Sequence, residues 1–364
     1  MFESMPARST FLKPALILGS GFHRHVFGER PPQDHRNCLY DWQVLVSATA
    51  DHMQVACPSM EQSPVLRWET LINRAVREGY RDRKGAWQIP NDNAAYQVER
   101  DAKAIVANLI TAASEQYPES TRARIPLDER WGCVISLNFD HAWRPDLNRQ
   151  HFQASSRSLA TAGFRKINSR EWCRLNTSAP PFASEASSRL PRLWFPNGST
   201  LQPESIRMGL HDYGSAPAAI RHVFNGLKAW ENRPGAPSAA SQAGFTQSAV
   251  ALRVASEGQN SLDKALSEPP MPLTWVAEFL YRPLVFAGVG LSEQESGLWW
   301  LLAQRARNLV RVEAPQNASA RILVHREDRP AFWATRPFGL RAISCSNWDE
   351  GWEQVMTILN EEKP

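Results

Sequence analysis

Four apolar residues, Ala15 to Leu18, run directly into Gly19-Ser20-Gly21. A short apolar run stopped by a glycine turn reads as a buried strand that turns at once into a helix. Two readings of the turn are open. Glycines let the backbone approach a pyrophosphate, and the next helix would offer the anion its free N–H groups and positive dipole end. The same residues also suit a plain tight turn, because Arg24 holds the place of the third glycine of a dinucleotide fingerprint.

The strand signal recurs. Cys133–Leu137, Leu193–Phe195, Ile206–Leu210, Leu284–Gly288, Arg321–His325 and Leu340–Ser344 are short apolar runs. Between them, helical spacing covers 65–80, 93–116, 219–230, 273–280, 292–307 and 348–360. Strands alternating with helices predict an α/β fold, a Rossmann-like, doubly wound, mostly parallel sheet. Stretches 145–192 and 231–272, rich in Ser, Ala and Pro, read as insertions into a single domain spanning 1–364. They are expected to supply a smaller helical or irregular subdomain near the binding face.

Local detail sharpens some elements. The helix at 65–80 is expected to bury Leu66, Ile72, Ala75 and Val76 and to stop at Gly79. The one at 93–116 carries a long stripe through Val98, Ile105 and Ile110. Ser292-Glu293-Gln294-Glu295 reads as a capping box that opens the helix running to about Arg307. The last helix turns Trp352, Val355, Met356 and Leu359 inward. Trp42 to Val46 has helical character. Asp41 lies about 20 residues past the glycine turn, where a Rossmann fold places a ribose-binding acid, but no strand precedes it.

Charge and cysteine usage narrow the class. The net charge is +4 without a long basic block, so a nucleic-acid partner is not required. No apolar run is long enough to span a membrane, and no apolar segment precedes Ala15. The five cysteines are scattered with no two-residue gap between any pair, which predicts reduced thiols in a cytoplasmic protein and no zinc ribbon or other metal site. The fourteen tryptophans read as core or interface filler. Asn138 and Asp140 close the second strong strand. In open α/β sheets that is where ligand groups sit, although either residue could equally cap the next turn.

Four segments in order, GSGF at 19–22, SLNFD at 136–140, FPNGS at 195–199 followed by ESIRMGLHDY, and AGVGLSEQE at 287–295, resemble the sirtuin-like family. The closest likeness is to its zinc-less bacterial branch of anti-phage defence, whose members hydrolyse NAD+. The resemblance runs from Lys13 to about Leu359, broken by the two insertions. It implies that Gly19, Ser20, Gly21 and Phe22 hold the pyrophosphate. It implies that Asn138 and Asp140 serve the nicotinamide-side ribose and the attacking water. Gly288, Gly290 and Ser292 would hold the adenosine half.

The family's catalytic histidine belongs to a His-Gly-Ser motif, and this chain has Asn197-Gly198-Ser199. An asparagine amide accepts no proton near neutral pH, so the implied general base is missing. His23, His25 and His211 are the histidines near enough in sequence to stand in. The resemblance therefore implies two alternatives. One is an NAD+ glycohydrolase, weakened or not, that releases nicotinamide and ADP-ribose. The other is an inactive subunit of a defence complex that binds NAD, ADP-ribose or a partner. A homo-oligomer is implied by analogy, and no zinc. All of this requires the loops starting at residues 19, 138, 197 and 288 to converge on one crevice.

Overall fold

The structure is a computed structural model. It describes residues 13–21, 41–89, 94–115, 130–140, 192–210, 212–214, 217, 220, 221, 224, 275–291, 295–309, 319–325 and 337–361. Both expected insertions lie almost wholly outside these residues, as do Phe22, His23, His25, His211 and Ser292.

The first strand, β1 (Ala15–Leu18), is buried on both faces. Helices α1 (Trp42–Met53), α2 (Pro64–Glu78) and α3 (Ala94–Glu115) follow, with a two-stranded hairpin, β2 (Tyr80–Arg81) and β3 (Trp87–Gln88), between α2 and α3. The chain then forms β4 (Cys133–Ser136), β5 (Arg192–Trp194), α4 (Trp275–Tyr281), β6 (Leu284–Ala287), α5 (Ser296–Leu309), β7 (Ala320–His325), β8 (Leu340–Cys345) and α6 (Trp348–Glu361).

Six strands form one parallel sheet in the order β5-β4-β1-β6-β7-β8. This is the order of a Rossmann-like, doubly wound sheet, so the expected fold class is borne out. Strand β1 lies between β4 and β6, where the winding reverses. In such sheets the crevice beyond the strand ends opens at that switch point.

Sheet alternation explains the packing on both faces. Ile17, Ile135 and Phe286 point to the side covered by Trp275 and Phe279 of α4 and Leu301 of α5. Leu16, Val134 and Val285 point to the side covered by Trp131 and by Trp352 and Val355 of α6. A strand buried on both faces must be apolar throughout, which is why ALIL, CVIS and LVFA carry so strong a sequence signal.

The smaller helical unit is built mainly from 42–115. Leu45, Val46 and Met53 of α1, Trp68 and Leu71 of α2, and Val98, Ile105 and Ile110 of α3 form a separate core. That core also takes in Phe139, Ile206 and Met208, which tie it to the loops beyond β4 and β5. In its midst lies the Arg67 guanidinium, fully buried. It donates to Gln43 O at 2.9 Å, Ser47 Oγ at 2.8 Å and Pro58 O at 3.3 Å, binding α2 to α1.

Three local expectations are corrected. Leu66 is exposed and Val65 takes its place in the buried stripe of α2, which runs on through Trp68 and Leu71 to the expected Ile72 and Ala75, with Val76 half-buried. Ile206–Leu210 is no strand, although Ile206 and Met208 are buried. Its backbone is satisfied by loops: Arg207 N donates to Asn197 O and Met208 N to the Asp212 carboxylate. Asp41 caps α1, accepting from Gln43 N at 2.8 Å and Val44 N at 3.4 Å, which accounts for its carboxylate without a ribose. No helix among the described residues is long and apolar enough to cross a membrane.

Candidate functional site

The four expected loops meet at the carboxyl edge of the sheet, fastened by backbone hydrogen bonds. Gly19 N donates to Ala287 O at 2.9 Å, and Gly21 N to Gly288 O at 2.8 Å. Leu137 N donates to Leu18 O at 2.8 Å, and Thr200 N to Phe139 O at 2.9 Å. Asn197 Nδ2 donates to Leu137 O at 2.9 Å and locks the turn after β5 to the end of β4.

The glycine turn after β1 is packed against the loop after β6. A Cβ on Gly19 would press on the Gly288 carbonyl oxygen and stand 2.7 Å from Val289 Cα. Both obstacles are backbone and cannot rotate away. Gly19→Ala is therefore expected to destabilise the fold by about 3 kcal/mol, at the upper end of ordinary overpacking. Urea unfolding would measure it, and a loss under 1 kcal/mol would mean that the two loops separate easily. The Gly19 and Gly21 N–H groups are already used within the protein.

The loop after β4 is held rigidly. Ser136 Oγ accepts from Asn138 N at 3.3 Å. Phe139 stacks on Trp42 of α1 with ring centroids 5.5 Å apart. Asn138 and Asp140, on either side of Phe139, are both buried. The turn after β5 closes through Gly198 N, which donates to Phe195 O at 3.0 Å. Gly198 has φ +91°, and a Cβ there would lie 2.6 Å from Ile206 N, so only glycine suits the position. Ser199 is spent inside the same loop: its N donates to Ser205 Oγ at 3.0 Å, and its Oγ accepts from Leu201 N. Gly290 is exposed.

Beside this junction lies a cleft lined by Leu137, Pro196, Asn197, Tyr213, Ile220, Trp275 and the first residues of α5. Of the residues expected at the site, the cleft lining includes Asn197 alone. Its water-accessible volume is about 50 Å³, enough for a few water molecules or one small group.

Glu295 also lines the cleft, and the sequence does not single it out as a site residue. The expected capping box places it inside the helix, but α5 starts after it, at Ser296. Its backbone carbonyl accepts from Leu298 N and Trp299 N. Its side-chain Oε2 is buried and accepts no hydrogen bond among the described residues. Burial pushes the carboxyl up to about 7, against an ordinary 4.5. Burial likewise raises the Tyr213 hydroxyl far above its usual range, helped by the Glu295 and Asp212 charges and opposed by Arg207. Tyr213 meets Trp42 edge-on at 5.6 Å, so one indole braces both the cleft wall and the Asn138–Asp140 loop.

Among the described residues, no three His, Cys, Asp or Glu side chains gather where a metal ion could sit. No protein-family model matches the chain, and no curated protein matches it.

Proposed function

We propose that this protein binds NAD+ at the carboxyl edge of the sheet and cleaves its nicotinamide–ribose bond, as a sirtuin-like NAD+ glycohydrolase of bacterial anti-phage defence. The observation that carries the reading is the meeting of the loops after β1, β4, β5 and β6 at the switch point of a Rossmann-like sheet. Cleavage builds positive charge on the ribose as neutral nicotinamide departs. A buried amide and carboxylate held rigid, as Asn138 and Asp140 are, would stabilise such an oxocarbenium-like centre. The same reading implies a homo-oligomer or a defence-complex partner.

Incubating the pure protein with NAD+ should release nicotinamide and ADP-ribose in equal amounts. Asn138→Ala should weaken NAD+ binding about tenfold in calorimetry, the worth of one buried hydrogen bond at the ribose. Neither product nor binding, with and without phage components, would refute the reading.

A second reading, binding without turnover, is favoured by Asn197. Its amide is committed to the Leu137 carbonyl and supplies no base. Under that reading NAD+ binds, no nicotinamide appears, and Asn197→His gains hydrolysis.

A further inference from the structure

We propose that Glu295 is the proton acceptor of this site, taking the proton from the water that attacks the ribose. The proposal rests on the glycohydrolase reading above and names a group for the step that Asn197, standing in place of the family's histidine, cannot perform.

The geometry leaves one Glu295 oxygen without a donor among the described residues. Short polar side chains before a helix ordinarily cap it by accepting from the first turn's N–H groups, and a glutamate at that place is not among the preferred caps. Here Leu298 N is taken by the Glu295 backbone carbonyl, and Oε2 is left buried with no donor among the described residues. Leaving a buried acceptor unsatisfied costs stability, and such groups call for an explanation in function. The oxygen belongs to a residue that shares the cleft with Asn197, beside the loop that carries Asn138. The cleft has room for a few waters, which is what a base that acts on water needs.

Among the described residues, no other residue lining the cleft can do this work. Leu137, Pro196, Ile220, Trp275, Gly297 and Leu298 bring no base, Asn197 and Ser296 do not titrate, and Tyr213 is held protonated by burial. Asp212 and Arg207, the charges that act on Tyr213, do not line the cleft. Burial brings Glu295 to about 7, so a large share is ionised at neutral pH and still basic enough to accept a proton.

The step balances. The C1′–N1 bond of NAD+ breaks and its electron pair stays on the ring nitrogen, giving neutral nicotinamide. The water oxygen bonds to C1′. One water proton passes to the Glu295 carboxylate and then to solvent, leaving ADP-ribose.

The test compares wild type, Glu295→Gln and Glu295→Asp for NAD+ hydrolysis from pH 5 to 9 and for NAD+ affinity by calorimetry. Glu295→Gln should lower kcat by about 10²- to 10⁴-fold, leave the NAD+ dissociation constant within about threefold, and erase the fall in rate below pH 7. Glu295→Asp should show an acid limb at a reduced rate, with its midpoint moved to that of the altered carboxylate. If Glu295→Gln keeps the wild-type rate and acid limb, the role of Glu295 is overturned while the glycohydrolase reading stands. If wild type binds NAD+ and never releases nicotinamide, the glycohydrolase reading falls and takes this role with it. If Glu295→Gln does not fold, Glu295→Asp decides: an acid limb that moves with the altered carboxylate supports the role, and one that stays in place overturns it.

Discussion

Glu278→Ala is expected to lower the unfolding free energy by roughly 3–5 kcal/mol, the usual cost of breaking one half of a buried ion pair. Glu278 and Arg282 face each other one turn apart at the end of α4, both side chains fully buried. The guanidinium also donates to Lys13 O at 2.9 Å. It lies so close to Gly132 that a Cβ there would strike it. An arginine cannot shed its proton to escape burial, so the variant would leave the buried guanidinium without the Glu278 carboxylate. Replacing both partners together, Glu278→Leu with Arg282→Met, should recover much of the loss, because the pair's two buried charges are then gone. Urea unfolding of the two single variants and the double variant measures this as a cycle. A loss below 1 kcal/mol for Glu278→Ala would show that water reaches the pair. The consequence extends to the site. Arg282 grips the residue before Pro14, and Pro14 O accepts from Gly132 N at 2.9 Å, so the pair sets how β1 and β4 enter the sheet side by side. Their far ends carry the Gly19 turn and the Asn138–Asp140 loop.

The fold was legible because each central strand is buried on both faces. ALIL, CVIS and LVFA leave no polar residue but a terminal serine to blur the signal, and Gly19 and Gly288 end two of them. The segment IRMGL was misread as a strand because burial and strand pairing look alike in one dimension. Ile206 and Met208 are buried against the helical core, yet their neighbours bond to loops. Leu66 shows the limit of periodicity in a helix with apolar residues on adjacent positions: Val65 and Leu66 compete for the same face, and contact with α1 and α3 decides it. Of the site, the glycine turns and the Asn138–Asp140 pair are visible in sequence because they sit at strand ends. Glu295 is not. Its character comes from the meeting of segments far apart in the chain, those carrying Asn197, Tyr213, Ile220 and Trp275, and no local pattern encodes that meeting. The one available signal, four residues resembling a capping box, pointed to a structural role.

Raising the pH from 5 to 8 is expected to cost the wild type roughly 2–3 kcal/mol of stability that Glu295→Gln does not lose. The sign follows from linkage. The Glu295 carboxyl titrates near 7 in the folded chain and near 4.5 when unfolded. Below 4.5 both states hold the proton, and the group has no effect on the balance. Between 4.5 and 7 the unfolded chain has released the proton and the folded chain has kept it, so stability falls as pH rises. Above 7 the full difference stands, at 1.36 kcal/mol for each pKa unit. Other groups titrate across the same window, so the quantity to measure is the difference between wild type and Glu295→Gln, by urea unfolding at pH 5 and pH 8. The amide should make the protein relatively more stable at pH 8 and change it little at pH 5. A difference that does not vary with pH would mean that the carboxylate is solvated or paired in solution, and a group already satisfied has no reason to wait for a proton from water. The experiment needs no substrate, so it tests the physical premise of the proposed base separately from the identity of what the cleft binds.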